Sequence, residues 1–188
     1  MSFQSWVETL GVASSDGPAL TNSITATSLL PAAAKIVLPA QFFDRAGKTL
    51  RIKAFGRIST VVTTPGTFAF DIRFGAVAVC ACGAMNLNTT AQTNASFTFE
   101  VLLVCRSIGN GTTATVFGGG SFESRAVVGS PAATVGSAGR VVLNDTAPTV
   151  GTGFDSTTAQ TVDLFGTWSV ASLSNSIQIH QYMIESVN

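Results

Sequence analysis

The three cysteines are residues whose side chains could act as nucleophiles or metal ligands, and one residue separates Cys80 from Cys82. On a β-strand this spacing places both thiols on one face. A zinc site would need a fourth ligand and usually about two to four residues between paired cysteines. A catalytic cysteine would need His180, the single histidine, beside it. We therefore interpret Cys80, Cys82 and Cys105 as small buried hydrophobic residues. The alternative is a disulfide from Cys105 to one of the pair, which a cytoplasmic origin disfavours.

The acidic residues that could form a glycosidase pair are scattered singly, and no aromatic cluster surrounds them. They are Asp71, Glu100, Glu123, Asp155 and Asp163. Because a glycosidase needs two carboxyl groups flanking one bond, we expect structural pairing with Arg73, Arg106 or Arg125 instead. His180 is interpreted as a hydrogen-bonded or exposed strand residue. We predict no catalytic residue, no metal and no cofactor, and we predict that the protein is not an enzyme.

A triple glycine at residues 118–120 is reminiscent of a phosphate-binding loop. No Lys-Ser/Thr pair follows it, and no helix pattern begins after it, so the two features that hold a phosphate are missing. Glycine within a strand is typical of a bulge or of a close approach between backbones. We predict that these glycines serve close strand packing.

Five of the ten Lys and Arg residues lie within a span of 13 residues. They are Arg45, Lys48, Arg51, Lys53 and Arg57. A nucleic-acid site would interleave aromatic residues with these charges, and only Phe55 does so. The formal net charge of zero also provides no long-range field for nucleic acid or membrane phosphates. We predict a solvated edge that resists aggregation or, as the functional alternative, a strip contacting an anionic partner or another subunit.

The elements that must position these residues are β-strands. Two runs of alternating apolar residues flank the turn signal at residues 63–66, which predicts a β-hairpin over residues 47–75. A third run, residues 97–108, gains apolar residues on its second face, which predicts a strand in the middle of a sheet. Residues 109–111, Gly-Asn-Gly, predict the turn to the following strand.

The whole chain reads as about eight or nine strands without helical patterns between them. This predicts an all-β fold, a two-sheet antiparallel sandwich, with a jelly roll as the first choice and an immunoglobulin-like sandwich as the alternative. Residues 1–18 are predicted to be an N-terminal arm, and residues 19–188 a single β-sandwich domain. Residues 126–158 are rich in small residues and longer than most loops, so they are a candidate contact region.

The composition favours a domain that packs against other proteins. Charged residues make up only 11% of the chain, so much of the surface must be Ser, Thr, Asn, Gly and Ala. Near-neutrality gives little protection from self-association, which predicts an assembled state. No apolar run reaches the roughly 18 residues of a membrane span, and the first residues lack a signal-peptide pattern. We expect no membrane partner and synthesis in a cytoplasm.

Three phrases in order carry a resemblance to a known family: residues 38–60, 63–75 and 150–170. Their succession resembles a family of tailed-bacteriophage virion structural proteins, over roughly residues 38–187. The resemblance implies a virion protein made in the host bacterial cytoplasm. Similar small β-sandwich phage proteins act as head decoration (cement) proteins, commonly as trimers, or as fibre and tail components. The family offers no catalytic residue.

Our first hypothesis is a capsid decoration protein, a homotrimer that binds the major capsid protein outside the head and clamps neighbouring subunits. The candidate capsid or subunit contacts are Phe3, Trp6, Lys48, Arg51, Lys53 and Arg57. The alternative is a tail or fibre domain that binds a host surface glycan, with Phe154 and Trp168 as the aromatic candidates. A third hypothesis, a hydrolase, predicts a pocket with two close carboxylates.

Overall fold

The computed structural model describes residues 6–61, 63–129, 139–143 and 150–187. Seven of the strands in these ranges have eight or more residues: β5 (Thr49–Thr60), β6 (Thr67–Phe74), β7 (Val77–Leu87), β8 (Gln92–Ser107), β9 (Thr115–Glu123), β12 (Gln160–Trp168) and β13 (Ser176–Val187). Six are shorter: β1 (Val7–Val12), β2 (Leu20–Thr21), β3 (Thr27–Ser28), β4 (Val37–Leu38), β10 (Val127–Gly129) and β11 (Arg140–Leu143). A 3-10 helix lies at Ala32–Ala34. None of the described helical residues forms a segment long and apolar enough to span a membrane.

The thirteen described strands form two antiparallel sheets. The seven-stranded sheet has the order β1-β13-β5-β8-β9-β11, with β2 also paired to β13. The six-stranded sheet has the order β10-β7-β6-β12-β3, with β4 also paired to β12. This confirms the all-β, two-sheet sandwich. The strand count exceeds the predicted eight or nine because strands of two to six residues are too short to show alternation. The choice of jelly roll over an immunoglobulin-like sandwich stays a prediction.

The core lies between the two sheets and is rich in phenylalanine. Every second residue of β5 and β6 is buried, as expected for strands with one face against a second layer. Phe70 of β6 packs against Phe99 of β8 with ring centroids 4.6 Å apart, and against Phe122 of β9 at 5.5 Å. Each fully buried phenylalanine contributes roughly 1.5–3 kcal/mol through removal of apolar surface from water.

The predicted hairpin over residues 47–75 is wrong, although both of its strands exist. Strand β5 lies between β13 and β8 in the seven-stranded sheet, whereas β6 lies between β7 and β12 in the six-stranded sheet. The connection therefore crosses from one sheet to the other. Alternation shows that each run has one apolar face, but two such faces can lie side by side in one sheet or opposite each other across a core. Because β5 is an interior strand, the predicted solvated edge is also wrong.

Other sequence predictions correspond to the structure. Strand β8 lies between β5 and β9, which confirms its place in the middle of a sheet, and the turn at residues 109–111 joins β8 to β9. Residues 7–12 pair with β13 as the outermost strand of the seven-stranded sheet. The division at residue 18 stays a prediction. Residues 130–138 and 144–149 of the candidate contact region lie outside the described residues.

Candidate functional site

An open groove of about 540 Å³ lies on the outer face of the seven-stranded sheet. Its described lining consists of Ala19, Arg57, Asn94, Ser176, Gln178 and His180. These residues come from the adjacent strands β5, β8 and β13 and from the residue before β2. Every lining side chain is uncharged or basic, so this groove differs from the two-carboxylate pocket expected of a hydrolase.

A β-bulge in β13 places His180 in the groove. Ile179 is opposite Gly56 and Gln181 is opposite Phe55, so His180 is the extra residue in the register. A bulge changes the direction of a side chain, and here His180 and Gln181 both lie on the outer face while their neighbours are buried. Nδ1 of His180 lies 3.0 Å from Oδ1 of Asp16. This places His180 on a strand beside a carboxylate with part of its ring exposed, consistent with the predicted hydrogen-bonded or exposed strand histidine.

A second irregularity, between β5 and β8, positions Arg57. Asn94 has a φ of 48°, a left-handed conformation that asparagine adopts more readily than most residues. Its backbone N–H donates to Oγ of Ser59 at 3.0 Å. Nη1 of Arg57 donates to the carbonyl oxygen of Asn94 at 3.3 Å and to Oγ of Ser96 at 2.6 Å. The guanidinium group is therefore held against β8 by neutral oxygen atoms.

The segment before β2 forms one wall of the groove. The N–H of Gly17 donates to the carbonyl oxygen of Ile179 at 2.8 Å, and Nε2 of Gln178 donates to the carbonyl oxygen of Gly17 at 2.9 Å. A side chain on Gly17 would collide with the carbonyl oxygen of Leu29. Glycine is therefore required for the wall to pass this close to the backbone of Leu29.

Phe55 is the exposed aromatic residue beside the groove. It precedes Arg57 by two residues on the outer face of β5, and 42% of its surface is exposed. The predicted glycan contacts Phe154 and Trp168 are each 1% exposed, so that assignment is wrong. Their rings fill the core, where Phe154 packs against Phe74 at 4.9 Å. Phe55 could have been found as the aromatic residue at a polar-face position of β5.

The basic residues of β5 do not act as one open strip. Nε of Arg51 lies 2.7 Å from Oε2 of Glu185, and Nζ of Lys53 lies 3.8 Å from Oε1 of Glu100. Both charges are thus paired within the chain, and Arg57 is the one in the groove.

The remaining predicted contacts lie apart from the groove. Nζ of Lys48 lies 4.7 Å above the ring centre of Phe42. Trp6 precedes β1 and is 80% exposed, whereas Phe3 lies outside the described residues. Contact with a capsid or another subunit stays a prediction for Phe3, Trp6, Lys48, Arg51 and Lys53, and likewise for Arg57 in the groove.

The three cysteines are buried, which confirms that interpretation, and all are free thiols. The hydrogen bond with Cys80, together with burial, raises the pKa of the Cys82 thiol well above its usual value. The same bond lowers the pKa of Cys80. Burial raises the pKa of Cys105. Within the described ranges, no group of three or more His, Cys, Asp or Glu residues could hold a metal ion.

Four of the five scattered carboxylates form ion pairs, but only one has a predicted arginine as its partner. The fifth, Asp155, instead accepts hydrogen bonds from the N–H and the hydroxyl of Thr157. Asp71 pairs with Arg73 at 3.2 Å, whereas Arg106 lies 5.1 Å from the ring centre of Phe117 and Arg125 donates to a carbonyl oxygen. The other pairs are Glu100 with Lys53, Glu123 with Arg140, and Asp163 with Lys35. These partners come from neighbouring strands or from the preceding loop, which sequence spacing does not reveal.

The sequence matches no protein-family model and no curated protein. Among solved structures it is similar to the CBM2 module of the evolved Dit of Lactobacillus casei BL23 phage J-1, with 8% identity, a TM-score of 0.41, and coverage of 99% of this chain and 98% of that chain. An engineered GH43 glycoside hydrolase gives 11% identity and a TM-score of 0.32, with 85% of this chain and 36% of that chain covered. A β-fructofuranosidase from Schwanniomyces occidentalis gives 10% identity and a TM-score of 0.28, with 97% of this chain and 34% of that chain covered. At these TM-scores the likenesses carry no argument about function.

Proposed function

We propose that this protein is a non-enzymatic structural domain of a bacteriophage particle that binds a glycan on the host surface. The phage assignment is supported by the ordered phrases at residues 38–60, 63–75 and 150–170. The groove on the outer face of the seven-stranded sheet, next to the exposed ring of Phe55, is the observation that carries the glycan assignment. We call Phe55 and the six residues that line the groove the glycan face.

The glycan face offers the two kinds of contact that a sugar needs. A sugar ring presents an apolar C–H surface, which the exposed ring of Phe55 can cover. Its hydroxyl groups need donors and acceptors, which Asn94 and Gln178 provide as amides and His180 provides as an imidazole. Because these side chains project from paired strands, their positions are set by the sheet rather than by a loop.

A pair of matched variants tests this proposal. The purified full chain is applied to an array of bacterial surface polysaccharides, beside Phe55→Ala and Leu102→Ala. Leu102 is 44% exposed on the outer face of β8 and does not line the groove, so it controls for the loss of exposed apolar surface. We expect Phe55→Ala to weaken binding at least about tenfold, since aromatic contacts dominate such surfaces. Absence of glycan binding, or equal effects of both substitutions, would contradict the proposal.

Capsid decoration is the second candidate, and exposed apolar residues at one sheet edge favour it. Trp6, Val7 and Val12 are 80%, 52% and 56% exposed at and beside the edge strand β1. Such an edge can pair with or pack against another protein, whether a second copy or a major capsid protein. Addition of wild type and Trp6→Ala to undecorated phage heads, with sedimentation of the free protein, tests the contact and the homotrimer. Equal binding by both proteins would exclude the Trp6 contact.

A further inference from the structure

We propose that the glycan recognised by the groove carries an oxyanion, a carboxylate or a phosphate, and that Arg57 binds this group. The inference rests on the proposed glycan binding and adds the class of saccharide. It starts from the charges on the outer face of β5, where Arg51, Lys53 and Arg57 project from the same side of one strand.

Arg57 differs from the other two basic residues in its partners. Arg51 and Lys53 are paired with Glu185 and Glu100. In the part of the chain that the structure describes, no carboxylate lies within 4.0 Å of Arg57, and its hydrogen bonds go to a carbonyl and a hydroxyl oxygen. The guanidinium charge in the groove is therefore held in place without being neutralised.

The geometry of the guanidinium group suits an oxyanion. Both hydrogen bonds of Arg57 to β8 come from Nη1, so Nη2 and Nε are the remaining donors of the planar fork. A fork of this kind binds carboxylate or phosphate through two parallel hydrogen bonds. Because the guanidinium is already positioned, less side-chain entropy is lost when the ligand binds.

A second positive charge, that of Arg125, lies near Arg57, and the one carboxylate that contacts a lining residue is engaged elsewhere. Nη2 of Arg125 reaches the carbonyl oxygen of Thr93, the residue before Asn94, at 3.5 Å. The described lining holds no acidic side chain. Asp16 is the acidic residue next to the lining, and its Oδ1 is bound to His180 rather than to Arg57.

A saccharide fits this charge better than an acidic peptide does. Apart from Arg57, the lining is made of Ala, Ser, Asn, Gln and His side chains, which match hydroxyl groups more closely than a run of carboxylates. A chain with a formal net charge of zero also provides little long-range attraction for a polyanion, so recognition must come from local contacts.

The test compares a carboxylated saccharide with its uncharged ester and a neutral analogue, and adds a phosphate polymer as the second source of an oxyanion. Calorimetric affinities of the full chain are measured for an oligogalacturonate, its methyl ester, a neutral oligogalactoside and a glycerol-phosphate polymer, with polyglutamate as the peptide probe. The proteins are wild type, Arg57→Gln and Arg106→Gln. Arg106 is an exposed arginine of the same sheet that lies outside the groove lining, so it controls for the loss of one charge.

We expect wild type to bind at least one charged saccharide about tenfold more tightly than its neutral counterparts, which corresponds to one well-placed charged contact. Arg57→Gln removes this preference, while its affinity for the neutral saccharides stays within about threefold of the wild-type value. Arg106→Gln keeps the preference for the charged saccharide. Preference for galacturonate identifies a carboxylate as the source, and preference for the glycerol-phosphate polymer identifies a phosphate.

Three outcomes would overturn the inference. They are equal affinity for charged and neutral saccharides, equal loss in both arginine variants, and binding of polyglutamate as tight as that of the saccharides. If neutral and charged saccharides bind equally well and this binding depends on Phe55, the proposed function stands and the inference of an oxyanion is contradicted. Absence of binding to every saccharide would remove both.

Discussion

Nδ2 of Asn175 donates a hydrogen bond to the carbonyl oxygen of Pro65 at 3.1 Å and joins the connection before β13 to the crossing between β5 and β6. Oδ1 of the same side chain accepts the N–H of Val61 at 2.9 Å, so Asn175 binds that crossing near both of its ends. Asn175 is completely buried. One amide group thus joins two of the connections that pass between the sheets, the one from β5 to β6 and the one from β12 to β13.

Replacement of Asn175 by alanine is expected to lower the free energy of unfolding by about 3 kcal/mol. The substitution removes the side-chain partners of the N–H of Val61, which is part-buried, and of the carbonyl of Pro65, which is buried, and each unsatisfied buried group costs about 1–3 kcal/mol. Urea denaturation measures the change, with exposed Ser174→Ala as the control. A loss of less than about 1 kcal/mol would show that the crossing does not depend on this amide.

The glycines of β9 provide a pair of neighbouring substitutions with opposite expectations. A Cβ on Gly120 would collide with the backbone carbonyl of Glu100 in β8, whereas the closest atom to a Cβ on Gly119 is 3.9 Å away in Phe117. We expect Gly120→Ala to lower the free energy of unfolding by about 2 kcal/mol or more, and Gly119→Ala to change it by less than about 0.5 kcal/mol. Equal effects on the urea midpoint would contradict this close approach between strands.

Tyr182 is the only tyrosine of the chain, so its ionisation can be followed directly by absorbance. Burial, with a smaller effect of the negative charge of Asp163, raises the pKa of Tyr182 above its usual value. An unfolded tyrosine ionises near pH 10. The folded state keeps the phenol neutral, so its contribution to stability is present below about pH 10 and is lost as the pH rises further.

An alkaline titration at 295 nm therefore has a clear expectation. The phenolate band should stay absent through the normal range near pH 10 and should appear together with the loss of the β-sheet circular dichroism signal. A reversible phenolate signal near pH 10 in folded protein would show that Tyr182 is accessible to solvent.

The three cysteines are expected to be unreactive in the folded protein. Cys80, Cys82 and Cys105 are 3%, 3% and 1% exposed, so a thiol reagent cannot reach them even though the pKa of Cys80 is lowered. Ellman's reagent should modify no thiol under native conditions and three after denaturation in guanidinium. Rapid modification of one thiol in the folded state would contradict the burial of that cysteine in β7 or β8.

The prediction of strands from sequence worked where alternation was long. Strands β5, β6 and β8 show it over eight or more residues, because every second side chain faces a core and must be apolar. Strand pairing was not predictable for β5 and β6. Their pattern is the same whether they form one hairpin or face each other across the core, and the turn signal between them suggested the first arrangement.

The candidate site was predictable only in part. Arg57 belonged to the basic cluster, and His180 was expected to be a hydrogen-bonded strand residue. Their shared groove depends on the bulge at His180 and the left-handed conformation of Asn94, neither of which leaves a periodic pattern. Phe55 lies among these charges in the sequence, but only the structure shows that its ring is exposed beside the groove while those of Phe154 and Trp168 are buried.

The sequence by itself determined that this protein is all β, which side chains of the long strands face inward, and that its cysteines are buried. These properties follow from local alternation and residue size, which act within a few residues of each other. Only the tertiary structure decided the sheet to which each strand belongs, the pairing of Arg51 and Lys53, and the meeting of Arg57 with Gln178 and His180. Those contacts join strands far apart in the chain, so they depend on how the two sheets pack and on where bulges shift the register.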